Sequence, residues 1–164
     1  MKPALDAFSR TFLPAAAKAQ LPVATVNRHA NVLRRCAGSR DSVTLVARCF
    51  RSNQPLGRRR PGNLLMLTEH RLIVTTESPI LRRLRLYLNA GLHQLADVTW
   101  TAELERDAVQ LALTAVDGVR EHFWIRMASQ EQVWRLDDAL STAFRGSTIA
   151  RKPIKQVAAL GLAA

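Results

Sequence analysis

Seven short apolar segments and one closing amphipathic helix predict a mainly β (α+β) domain. The expected form is a seven-stranded bent sheet, a partly open barrel, capped by a C-terminal α-helix and preceded by a helical extension. Three observations carry this reading. Apolar residues alternate with period two through the middle of the chain, turn residues separate the runs, and the period returns to helical at Ser129.

The first 20 residues are weakly helical and interrupted at Pro14. Pro22–Ala37 reads as an amphipathic helix in which Val23, Val26, Ala30 and Leu33 share one face while His29, Arg34 and Arg35 face outward. Gly38 stands just past its end. Val43–Phe50 is the first expected strand, and a turn-rich stretch, Arg51–Gly62, follows it. Asn63–Thr68 and Arg71–Thr76, separated by Glu69 and His70, predict a tight hairpin. Leu84, Leu86 and Leu88 then alternate with Arg83, Arg85 and Tyr87, giving an apolar face and a cationic one. Gln94–Thr101 continues the sheet. Asp117-Gly118 turns the strand through Val109, Leu111 and Leu113 into Val119–Met127, where Phe123, Ile125 and Met127 oppose Arg120, His122, Trp124 and Arg126. Ser129 to Gln132 has the form of a capping box, and Val133, Leu136, Leu140 and Phe144 make one helical stripe. The expected organisation is an N-terminal helical extension over 1–40, the β domain over 41–146 and a basic tail over 147–164.

The chain carries a formal charge of +11 and only four lysines, so the excess is arginine. Thirteen arginines and three acids fall between Arg28 and Arg85, but four arginines and nine acids between Asp97 and Asp138. That asymmetry orients a protein on an anionic surface or on a second copy of itself. Cys36 and Cys49 have no metal-ligand or disulfide spacing and read as small apolar residues in a reducing compartment. No signal peptide is legible, and no run reaches the roughly 18 apolar residues of a membrane span. A cytoplasmic protein is expected.

His29, His70, His93 and His122 are scattered, and no GxSxG, HExxH or Walker motif occurs, so no catalytic residue, metal ligand or cofactor is assigned. Glu103, Glu105 and Asp107 read as solvated acids of a strand connection.

Local text adds a resemblance. "LLMLTEHRLIVTT", "LADVTWT" and "QLALTAVDGVREHFWIRMASQEQVWRLDDAL" occur in that order and resemble the middle and final strands and capping helix of bacterial pleckstrin-homology-like and GRAM-like domains, over about 41–144. The resemblance implies a non-enzymatic binding or adaptor module. Many eukaryotic members of the wider superfold bind phosphoinositide headgroups at the end of the first strand, in the following loop and on the second strand. Those regions here hold Arg48, Arg51, Arg58, Arg59 and Arg60, with Arg82, Arg83 and Arg85 expected alongside. Guanidinium suits phosphate through bidentate, charge-assisted hydrogen bonds. The sequence lacks the family's usual lysine there. The implied partner is an anionic phospholipid surface at the inner face of the membrane, or an acidic protein; nucleic acid is the competing anion. A homodimer joining basic and acidic halves, or a purely structural oligomerisation role, are further readings.

Overall fold

A computed structural model describes residues 6–51, 63–78 and 80–144 of the chain. The element order is α1 (Ala7–Lys18), α2 (Val23–Ala37), β1 (Val43–Arg51), β2 (Asn63–Thr68), β3 (Arg71–Glu77), β4 (Leu84–Gly91), β5 (Ala96–Glu103), β6 (Ala108–Thr114), β7 (Arg120–Arg126) and α3 (Gln130–Ala143). The strands form one antiparallel sheet in the order β4-β3-β2-β1-β7-β6-β5. It bends but stays open, with β4 and β5 as its edges. Seven antiparallel strands with a C-terminal helix form a pleckstrin-homology-like fold, as expected.

The sheet buries two cores. On its concave side Ala47, Cys49, Leu65, Leu72, Val74, Val109, Leu111, Phe123 and Ile125 pack with Val133, Leu136, Leu140 and Phe144 of α3. Each of these four helix side chains is at most 2% exposed, and full burial contributes about 1.5–3 kcal/mol apiece. Ser129 caps α3 by accepting a hydrogen bond from the Gln132 amide. On the convex side Val46, Leu64, Met66 and Ile73 pack against Phe8, Phe12, Val26 and Leu33 of the two N-terminal helices. Burial on both faces explains why β2 reads as a continuous apolar run rather than an alternation. Gly118, with φ of 80°, makes the turn between β6 and β7.

The structure corrects four expectations. Pro14 does not end a helix: α1 runs through it. Asp6 caps its start through the Ser9 amide, and Phe8, Phe12 and Ala16 bury one stripe that offsets the hydrogen bond proline removes. His29 does not face outward. It has no exposed surface, because the buried stripe of α2 is Val26, His29, Leu33 and Ala37, and Thr75 supplies its polar partner at 2.7 Å. Val23, expected on that stripe, is 75% exposed. Finally, β4 is not a clean alternation. Val74 pairs with Leu88 and Thr75 with Leu86, so Tyr87 is skipped in a bulge. Its ring turns inward to pack on the concave core, while Leu86 is left 46% exposed.

Candidate functional site

Antiparallel pairing gathers three connections at one end of the sheet: those after β1, between β3 and β4, and between β6 and β7. The chain enters α3 at the opposite end. Arg51 closes β1 at this rim. Its guanidinium carbon lies 4.3 Å from the centre of the Tyr87 ring, and its Nη2 lies 3.6 Å from Glu121 Oε2. Arg51 Nε is buried and has no hydrogen-bond partner among the described residues. The Tyr87 hydroxyl donates to Glu121 Oε1 at 2.6 Å, and the ring meets Phe123 edge-on at 6.3 Å between centroids. Burial, reinforced by the Glu121 carboxylate, pushes the Tyr87 phenol up to about 12. This cluster ties edge strand β4 to β7 across the open mouth.

Arg82, Arg83 and Arg85 are exposed on the β3–β4 connection and the start of β4. Arg82 adopts a left-handed backbone, φ 45°, and the Ser78 amide donates to the Arg83 carbonyl at 2.8 Å to close the loop. Arg51, Arg82, Arg83 and Arg85 therefore share one end of the sheet. Arg48 does not join them: it is exposed on the convex face, directly across from Arg126. Arg58, Arg59 and Arg60 lie outside the described residues, as does the tail over 147–164.

Sequence reasoning missed the apolar members of this rim. Ile80 is 89% exposed, Leu81 61%, Val116 71% and Val119 47%. All four sit on the β3–β4 and β6–β7 connections, among the arginines. The available signal was large apolar residues inside turn segments, where solvation ordinarily favours polar ones.

The two cysteines are free and lie on opposite sides of the sheet, Cys49 in the concave core and Cys36 against the convex one. Burial pushes both thiols up, away from the reactive thiolate form. Asp41, Glu69 and His70 form the metal-sized group of donors found among the described residues. Asp41 accepts hydrogen bonds from Thr68 Oγ1 at 2.5 Å and pairs with His70 Nδ1 at 3.0 Å. These contacts bind the α2–β1 connection to the β2–β3 turn, which accounts for the buried carboxylate.

No protein-family model matches the chain, and no curated protein sequence matches it. Solved structures do. The hSac2 domain from the human phosphoinositide phosphatase Sac2 superposes with a TM-score of 0.50 at 11% identity, over 79% of this chain and 90% of that one. The C-terminal domain of an unknown protein from Leishmania infantum gives 0.41 at 14% identity, over 70% and 95%. Vav1 bound to an allosteric inhibitor gives 0.42 at 9% identity, over 79% and 35%. The Sac2 likeness is one of fold alone. No helix among the described residues is long and apolar enough to cross a membrane.

Proposed function

We propose that this protein is a non-enzymatic binding module that docks on an anionic membrane surface, at the cytoplasmic face, with the loop rim of its sheet. One observation carries the reading: exposed apolar tips on two connections share one end of the sheet with the exposed arginines of one of them. Ile80 and Leu81 precede Arg82, Arg83 and Arg85, and Val116 and Val119 stand exposed on the β6–β7 connection at the same end. A bilayer interface accepts both classes at once. The apolar tips gain by leaving water, and each arginine near the surface contributes about 1 kcal/mol of attraction to anionic lipid. Arg58, Arg59 and Arg60, expected from the sequence to share this role, lie outside the described residues. An acidic protein partner would use the arginines but has less need of four apolar tips. No reaction is assigned.

Co-sedimentation with phosphatidylserine-containing and neutral vesicles across a salt series tests this. Arg82→Ser/Arg83→Ser/Arg85→Ser should weaken anionic-vesicle binding by roughly a hundredfold, at about 1 kcal/mol per arginine. Ile80→Ser/Val116→Ser should weaken it further in a way that salt does not restore. Vesicle binding untouched by both variants would sink the rim as the docking site. If no vesicle binds near physiological salt, an acidic protein partner is the reading that remains.

A further inference from the structure

The convex face of the sheet is covered unevenly. Helices α1 and α2 lie over β1, β2 and β3, and leave the same face of β7, β6 and β5 open. The residues of this open face are fixed by pairing. Arg48 stands opposite Arg126, and two positions along, Phe50 stands opposite Trp124. Trp124 in turn stands opposite Gln110 on β6, and His122 opposite Ala112. Their neighbours in sequence, Cys49, Phe123 and Ile125, fill the concave core, so alternation directs this set outward.

Three features of the face need a joint explanation. Arg48 and Arg126 are both exposed, directly opposed and without an ion pair among the described residues. Like charges facing one another across a sheet destabilise it. Beside them, Phe50 and Trp124 are only half-buried, with the Arg106 guanidinium carbon 5.7 Å from the Trp124 ring centroid. Beyond the aromatics the surface dips into a hollow of about 310 Å³ lined by Thr99, Thr101, Gln110, Arg120 and His122. The carboxylate closest in the register, Glu103, is engaged by Arg106 and Gln110, and Glu121 points to the other side toward Tyr87.

We infer that this open face is a second anion site, distinct from the rim, and that its ligand is single-stranded nucleic acid. Two unpaired arginines supply phosphate contacts, adjacent aromatic rings supply a stacking platform, and the hydroxyl-, amide- and imidazole-lined hollow supplies groups for a base or sugar edge. Half-buried rings on a pleated face do not protrude into a bilayer, which separates this surface from the apolar tips of the rim. An acidic polypeptide would neutralise the arginines but leave the aromatic pair and the hollow unused.

Fluorescence anisotropy with a labelled oligo(dT) across a salt series tests the inference. Arg48→Ser/Arg126→Ser should weaken binding and reduce the slope of log affinity against log salt by about 1.4, the value for two lost single-strand phosphate contacts. Trp124→Ala should weaken binding by about five- to 150-fold, whereas Trp124→Phe, which keeps a ring, should recover most of it. Arg82→Ser/Arg83→Ser/Arg85→Ser should retain it within about threefold, since those residues lie on the rim. If Trp124→Ala does not fold, the arginine pair and Trp124→Phe still decide the matter. Binding indifferent to the Arg48/Arg126 pair overturns the inference. So does equal competition by poly-glutamate with no effect of Trp124→Ala, which would assign the face to an acidic protein.

Discussion

Tyr87 on β4 donates its hydroxyl hydrogen to Glu121 on β7 at 2.6 Å, although three strands, β3, β2 and β1, lie between them in the sheet order. The bond spans the concave side, under the stacked guanidinium of Arg51. It draws one edge of an open sheet toward its far half, and so sets the spacing of the two connections that carry the rim.

Tyr87 is the only tyrosine in the chain, so alkaline absorbance titration reads it alone. The folded protein should ionise with a midpoint of about 12, and the unfolded chain near 10. Because the unfolded state loses its proton first, stability should fall as pH rises from about 10 to about 12. Glu121→Gln removes the charge that opposes ionisation and should move the midpoint down. A folded parent titrating near 10 would show the cluster is not formed in solution.

His29 makes the opposite pH prediction at the acid end. Its Nδ1 meets Thr75, its Nε2 is buried without a partner, and burial holds its pKa below 6.5 despite the nearby Glu77. The unfolded chain therefore takes up a proton that the folded one refuses, and stability should decline as pH falls below about 6.5. Denaturant melts of the parent and His29→Gln isolate the effect. The parent should show the steeper acid-side loss; parallel curves would refute the buried neutral imidazole.

Phe12 tests whether α1 is part of the core rather than an appendage. Phe12 is 2% exposed and stacks on Phe8 at 4.8 Å between centroids. Phe12→Ala should cost about 3–5 kcal/mol in global unfolding. A loss well below 1 kcal/mol would mean that α1 leaves the sheet easily.

The indole N–H of Trp100 donates to Asp137 Oδ1 at 2.9 Å and fastens β5 to α3 inside the core. Asp137→Ala strands that donor away from water and should cost about 1–3 kcal/mol, read by thermal or urea unfolding. An unchanged melting curve would argue against this fastening.

Legibility followed physical locality. The hairpin Asn63–Thr68/Arg71–Thr76 and the capping helix after Ser129 were readable because period, turn residues and caps lie within a few positions of one another. The arginines of the rim were readable as a class, since charge is visible without geometry. The shared end of Ile80, Leu81, Val116 and Val119 was not, because antiparallel pairing alone brings two sequence-distant turns to the same end of the sheet.

By itself, then, the sequence determined seven strands, a closing helix and an uneven spread of charge, all consequences of local periodicity and composition. Tertiary structure alone decided that α1 continues through Pro14 and that His29 turns inward onto Thr75. It also decided that Tyr87 leaves the strand alternation to meet Glu121, and that Arg48 faces Arg126 rather than the rim. Each of these depends on what a distant element supplies: a core that repays a missing helix bond, a hydroxyl for a buried imidazole, a bulge that turns a ring, a register that opposes two cations.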